Sequence, residues 1–438
     1  MKLIKPVLLG LLIVQNANAA STMENLFLIK KDKSNIKRVR LVKNDPSTIW
    51  WVESSKQLLI NINKKSIPAD LDASSIKRAQ GLRLIYSIGK TKEEIRREGD
   101  SILIYGGRAA LIATNRKIFH TDPHHKETPF QPNIVLDFKD ERTKVDLTPS
   151  QVIHDQLKKL DYKYFYKTLE SLAKMNRYTT NQSVPGPTEK FIISEFQKIP
   201  NLKISTQRFK FSNTNAFNII GRLEPSQPTE AIYIVGAHFD SISEKPFESA
   251  PGAEDNASGT AGLLTIARNL APLERNANIL FVSFGAEEQG LHGSYAFVAE
   301  LKKQNQLKHV EKVITMDMIG YRKGKTNQLL IETSSDYSPL VNNLASLAKV
   351  YADIETYHTF NYWGSDHVPF IKANLPTVLL IENFYGSYPA YHKSTDVPKN
   401  INQKQATAIL KVATSALATW TLPKAAGITH GGKASLPK

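Results

Sequence analysis

Not one of the 438 residues is cysteine. That absence excludes a thiol nucleophile, a thiolate metal site and any disulfide, and leaves histidine and carboxylate as the side chains able to hold a metal. Long apolar runs are missing as well. After the first twenty residues no segment reaches the roughly 20 apolar residues that a membrane-spanning helix needs. Base exceeds acid, 57 Lys and Arg against 41 Asp and Glu, for a formal charge of +16. The surplus is scattered, with no zinc finger, RNA-binding motif or aromatic-interleaved basic stripe. Nucleic-acid binding is therefore not expected, and the charge is read as solubility or attraction to anionic surfaces.

What is present begins with Lys2 and Lys5, an apolar run over 7–14 and then Ala17-Asn18-Ala19. A basic start, a short apolar core and an A-x-A step describe a secretory signal peptide over 1–19, and hence export to the periplasm or the extracellular space. Residues 20–150 carry short β-like runs at 25–29, 38–42, 49–52, 58–62, 101–105 and 109–113. Turn formers such as Asn44-Asp45-Pro46 and Gly106-Gly107 part them, and a helical stretch is expected at 91–97. The expectation is a small β-rich or α+β region, either a propeptide that is removed or a permanent accessory domain. The segment His120-Thr121-Asp122-Pro123-His124-His125 reads as a solvated turn.

From about residue 147 the texture changes to alternating helices and buried strands. Helices are expected at 162–175, 187–197, 258–270, 290–301, 338–351 and 403–421, and strands at 231–235, 278–284, 309–316, 328–331 and 377–381. Repeated β-then-α units predict an α/β fold over 151–422, a mixed, mainly parallel twisted sheet flanked by helices, with a flexible tail at 423–438. Ligands of such sheets bind outside the carboxyl ends of the strands.

Metal-compatible side chains stand at just those ends. His238 and Asp240 follow an apolar run, and residues two apart near a strand end point the same way. His238 can thus ligate a metal while Asp240 accepts the proton of its other ring nitrogen, although a structural His–Asp pair has the same pattern. Asp255, in Pro251-Gly252-Ala253-Glu254-Asp255-Asn256-Ala257-Ser258-Gly259, reads either as a helix N-cap or as a carboxylate bridging two cations. Glu287-Glu288 closes the apolar strand at 279–284. Adjacent acids there are costly without a cation, and one can ligate while the other stays free as a base. Asp317 repeats the arrangement, and His392 is followed by Asp396, a possible partner. The set suits zinc and water activation.

Gly236-Ala237-His238-Phe239-Asp240-Ser241, the Pro251–Gly259 stretch, Gly285-Ala286-Glu287-Glu288 and Tyr391-His392 resemble the co-catalytic dizinc aminopeptidases, nearest the secreted bacterial leucyl type. Lys174-Met175-Asn176-Arg177-Tyr178-Thr179-Thr180 is similar to that branch's first catalytic-domain helix and turn. The resemblance covers about 160–420. It implies that two Zn2+ ions bind, His238 and Asp317 on one, Glu288 and His392 on the other, Asp255 on both. It further implies Glu287 as general base and Asp240 as the partner of His238. Ser365-Asp366-His367 also matches, Tyr362 falls where a relative has a tyrosine lining the substrate site, and Tyr391 resembles an oxyanion-stabilising tyrosine. Either tyrosine can instead be packing. Relatives have a disulfide around the first of them, where this chain has Phe360 and Gly364, so the pocket wall is built differently.

The implied reaction is hydrolysis of the N-terminal peptide bond of peptides or proteins by a monomeric enzyme. Tyr362, Trp363, Phe384 and Tyr385 suggest an apolar first residue, whereas Glu382 and Asp366 would favour a basic one. A glutaminyl cyclase-like transferase, with one zinc on the same fold, is the alternative, and Asp255-Asn256-Ala257-Ser258-Gly259 favours the peptidase. Two-domain carboxypeptidase or deacylase relatives insert a domain before the last histidine, and the 75 positions from Asp317 to His392 leave no room for one. A binding protein without activity would need a lost ligand or base, and none is missing.

Overall fold

Strand Asn278–Phe284 shows how the sequence builds the core of the α/β domain. Alternate residues of a strand point to opposite faces. Ile279 and Phe281 enter one apolar cluster, while Leu280, Val282 and Phe284 enter another. A strand buried on both faces reads as a continuous apolar run, and it lies inside a sheet covered by helices. The computed structural model describes residues 25–32, 34–76, 81–87, 100–116, 121–122, 125–142, 147–384 and 387–423. The signal peptide expected over 1–19, the helix at 91–97, the tail from 424, Tyr385 and parts of the 120–125 turn lie outside the described residues.

In chain order the N-terminal region contributes β1 (Leu26–Lys30), β2 (Trp50–Glu53), β3 (Gln57–Asn61), β4 (Ala73–Ser75), β5 (Leu82–Ser87) and β6 (Ser101–Gly106). β7 (Ala109–Ala113), β8 (Thr121–Asp122), β9 (His125–Pro129), β10 (Ile134–Val135) and β11 (Phe138–Lys139) follow. Two five-stranded sheets result, ordered β10-β2-β3-β1-β4 and β6-β7-β5-β9-β8. The run at 38–42, expected as a strand, belongs instead to helix Ile36–Lys43. Val39 and Val42, three apart, are its buried residues, and Leu41 between them is 71% exposed, a helical and not an alternating pattern. β5 had not been expected.

The α/β domain adds β12 (Leu202–Phe211), β13 (Thr214–Leu223), β14 (Ile232–His238), β15 (Asn278–Phe284) and β16 (Val310–Met316). It is completed by β17 (Gln328–Glu332), β18 (Glu355–Thr359) and β19 (Thr377–Glu382). The nine-stranded order is β11-β18-β17-β19-β16-β14-β15-β13-β12. Its centre, β19-β16-β14-β15, is parallel, as expected, and antiparallel pairs flank it at β17–β19 and β13–β15. Helices Tyr162–Ala173, Gly259–Leu270, Ser338–Tyr351 and Gln403–Thr421 join the larger cluster on one face. Helices His292–Lys303 and His367–Lys372 cover the other. Three parallel strands, β14, β15 and β16, therefore end side by side and aim their last residues at one edge.

The outermost strand comes from the N-terminal region. β11 pairs antiparallel with β18, Phe138 opposite His358. His358 lies between rings, stacked on Phe138 at 4.8 Å and 5.3 Å from Phe360. Burial pushes its pKa down from 6.5 to about 4, with Asp140 opposing. Between these values the unfolded chain binds a proton that the folded chain refuses, so stability present above pH 6.5 is lost as pH falls toward 4. Thermal unfolding midpoints across that range should fall more steeply for the native chain than for His358→Phe. Parallel curves would remove His358 from the account.

Candidate metal centre

His238 is the last residue of β14, Asp317 follows β16, and Glu287-Glu288 follow β15 through Gly285 and Ala286. Three neighbouring strand ends thus deliver four of the expected residues, for the reason that favours ligand sites there in open α/β sheets. Asp255 comes from the turn that enters helix Gly259–Leu270, and its peptide bond to Asn256 is cis. His392 comes from the loop after β19. Ala286, Met318 and His392 all have positive φ, 56°, 51° and 50°. Such a conformation is uncommon without glycine and persists where the surroundings over-determine it.

Asp255 faces both imidazoles. Its Oδ1 is 3.3 Å from His238 Nε2, and its Oδ2 is 3.1 Å from His392 Nε2. Asp317 Oδ1 lies 3.4 Å from His238 Nε2, and Glu288 Oε2 lies 3.0 Å from His392 Nε2. Glu287 Oε2 stands 3.9 Å from His238 Nε2. Three groups are compact enough to hold a metal ion, His238–Asp255–Asp317, Asp255–Glu288–His392 and His238–Glu287–Glu288, and the first two share Asp255. No helix-capping hydrogen bond is made by Asp255; its carboxylate is spent on the two histidines.

The electrostatics ask for cations. Burial drives Glu287 well above the usual carboxylate range, against the pull of His238 and with the push of Glu288. Burial and the Asp255 charge raise Glu288 to about 7, more than its contact with His392 offsets. Although burial opposes it, Glu288 and Asp255 hold a proton on His392 up to about 10. His238 likewise stays well above 6.5 despite burial, through Glu287 and Asp317. Burial acts against the Asp255 anion too, but hydrogen bonds to the two imidazoles hold its pKa far down. Four buried carboxylates face two imidazoles, and the field that keeps protons on the histidines is the field that binds metal ions. The donor set, nitrogen and carboxylate oxygen without sulfur, fits zinc.

A second layer holds these groups in place. Asp240 was expected beside the second ring nitrogen of His238, and its Oδ1 is 3.7 Å from Nδ1, farther than its backbone oxygen at 3.2 Å. Its carboxylate mainly accepts the backbone N–H groups of Glu287 and Glu288, at 3.1 and 3.2 Å. Asp396, expected to partner His392, instead accepts the N–H groups of Glu254 and Asp255 at 2.9 and 3.0 Å, and the Tyr388 hydroxyl. Arg177 had no assigned role, although it stands in the 174–180 motif. Its buried guanidinium donates to the carbonyls of Phe239, Leu172, Pro251 and Gly252, tying the His238 strand end to the Asp255 turn. Ser365 Oγ donates to Asp317 Oδ2 at 2.8 Å.

The two tyrosines part company. Tyr391 is buried with its ring 3.8 Å from that of His392, within the cluster. Tyr362 lies outside it, edge-on to His367 at 6.4 Å. Asp366 and Glu382, weighed as pocket acids, are 1% and 0% exposed, and Glu382 accepts the N–H of Phe384.

An open α/β sheet whose parallel strand ends converge on adjoining His/carboxylate groups is an arrangement able to hold metal ions. Residues 218–417 match the model of peptidase family M28. The chain is 30% identical to aminopeptidase YwaD of Bacillus subtilis over 55% of its own length and 52% of that protein. It is 31% identical to a probable leucine aminopeptidase of Arthroderma otae over 54% of its own length and 66% of that protein. The matched region thus spans about half to two thirds of these relatives. The Legionella pneumophila LapA aminopeptidase structure shares the fold, with a TM-score of 0.55 over 78% of this chain and 99% of that one, at 18% identity.

Asp240→Asn would keep the shape of the side chain but turn an N–H group toward one of the two peptide donors. Metal affinity, followed by competition with a chelator, should fall by about 10- to 100-fold. Unchanged affinity would show that Asp240 does not position the Glu287–Glu288 turn.

Proposed function

We propose that the protein is an exported zinc aminopeptidase that hydrolyses the N-terminal peptide bond of peptides or proteins. The observation that carries this reading is Asp255, whose two carboxylate oxygens face imidazoles of two separate ligand groups. Two zinc ions are proposed, one on His238, Asp255 and Asp317, the other on Asp255, Glu288 and His392. Zinc held there supplies Lewis acidity toward a carbonyl oxygen and lowers the pKa of water to about 7.

The chain's own residues do the rest. Glu287, 3.9 Å from His238 Nε2, is proposed as the proton carrier. It takes a proton from the attacking water and delivers it to the leaving amine nitrogen, one group serving as base and then acid. Its burial favours the protonated form, so this environment assists the first transfer, from water to Glu287. Asp240 fixes the backbone from which Glu287 and Glu288 diverge. Tyr391, stacked on His392, is proposed to donate to the developing oxyanion. Tyr362, Trp363 and Phe384 are proposed to favour an apolar first residue.

A glutaminyl cyclase-like transferase would bind one zinc and cyclise N-terminal glutamine. Metal analysis of the purified protein should give two equivalents of zinc, with release of leucine from leucine 4-nitroanilide. Glu287→Ala should keep both ions and lose turnover by roughly 10²- to 10⁴-fold. One equivalent of zinc together with glutamine cyclisation would replace the peptidase reading, and full activity in Glu287→Ala would remove the base.

A further inference from the structure

Arg108 stands at the tip of the β6–β7 hairpin, in the Gly107-Arg108 turn. A charged side chain at a hairpin tip ordinarily meets water. This one is 3% exposed. The tip is closely packed: a Cβ on Gly106 would stand 2.0 Å from Asp137 Oδ1 of the same region, and one on Gly107 would be 3.7 Å from Thr359 Cβ of the α/β domain. Glycine is needed here for close approach, and at Gly107 also for its φ of +55°.

The guanidinium ends on one loop. Arg108 Nη2 donates to Trp363 O at 2.6 Å and to Gly364 O at 3.4 Å, and Nη1 lies 3.4 Å from Glu332 Oε1. The same Glu332 oxygen accepts Trp363 N–H at 2.7 Å and is 3.1 Å from His367 Nε2. From the other side, Asn361 Nδ2 donates to Val135 O at 2.8 Å, and Thr359 Oγ1 to Leu136 O at 2.7 Å. Lys126 lies over the Trp363 ring at 4.8 Å. A cavity of about 180 Å³ remains between the regions, lined by Tyr86 and Lys126 on one side and Phe360, Tyr362 and Trp363 on the other. One residue beyond Gly364, Ser365 holds Asp317.

We propose that the N-terminal region is a permanent wall of the substrate pocket, and that Arg108 is a specificity-determining positioning residue. This rests on the aminopeptidase reading. Through Trp363, Gly364 and Glu332, Arg108 fixes the 360–364 loop and therefore the place of Tyr362. Without cysteines the loop has no covalent clamp, and the hairpin-tip arginine serves instead. A planar guanidinium suits this task because it donates in several directions at once, which an ammonium does not. Removing the region would also unpair the outer edge of β18.

The test compares the full-length chain with Arg108→Ala, Arg108→Lys and Asn361→Ala, the last cutting the junction from the opposite side. Three measurements are needed: zinc content, amide hydrogen exchange over 360–364, and kinetics on leucine, phenylalanine and alanine anilides. Zinc content should not change, and exchange in the loop should rise. KM for the leucine and phenylalanine substrates should rise about tenfold, with alanine turnover within about threefold and Arg108→Lys intermediate. Unchanged exchange with an unchanged leucine-to-alanine ratio would overturn the inference, as would an active form whose N-terminus lies beyond residue 150. Absence of hydrolysis by the native chain would instead refute the aminopeptidase reading, and exchange alone would then decide whether Arg108 fixes the loop.

Discussion

Repulsion among buried carboxylates is the constraint around which this molecule is arranged. Asp255, Glu287, Glu288 and Asp317 are all buried within a few ångströms of one another, and His238 and His392 stand among them. Anions removed from water are unstable unless protonated or paired with cations. A sheet that ends three parallel strands at one edge brings them together regardless, and the surrounding structure keeps them from moving apart. Asp240 grips the Glu287–Glu288 backbone, Asp396 grips Glu254 and Asp255, and Arg177 ties the loops beneath.

That scaffolding spends further charge. Burial raises Asp396 to about 7, although Tyr388 and two backbone N–H groups stabilise its anion. Arg177 is lowered to about 10 by burial, against the pull of Asp396 and Asp240. A buried guanidinium bonded to carbonyl groups keeps its positive charge available to the acidic centre as a whole. The N-terminal region repeats the device at larger scale. Arg108 crosses from a separate sheet and bonds the carbonyls of a loop that continues into Ser365, whose hydroxyl donates to Asp317. The acidic centre, the 360–364 loop and the hairpin tip are thereby joined by polar contacts.

Much of this was legible in the residues. The helices at 187–197, 338–351 and 403–421 and the strand at 278–284 have the expected bounds, because each combines a clear apolar period with a proline, asparagine or turn at its start. β12 and β13, the long hairpin over 202–223, escaped notice. β12 is an edge strand with one mostly solvated face, so LKISTQRFKF has little apolar signal. β18 was missed for a related reason: it is short, and in ETYHT the partners that bury it come from distant segments. The helix at 36–43 was read as a strand because RVRLV alternates as well as it turns.

Sequence by itself determined the inventory of the site. The chemistry of His238, Asp255, Glu287, Glu288, Asp317 and His392, and their positions after apolar strands, are local properties that residue type and spacing express. Their company was decided by tertiary structure. That Asp255 would face two imidazoles, that Asp240 would serve the backbone more than His238, and that Asp396 would serve the Asp255 turn depend on segments as much as 142 residues apart. Arg108 is the extreme case, reaching across 255 positions to Trp363. No local pattern marks a hairpin-tip arginine as buried, because burial is a property of what the fold brings against it.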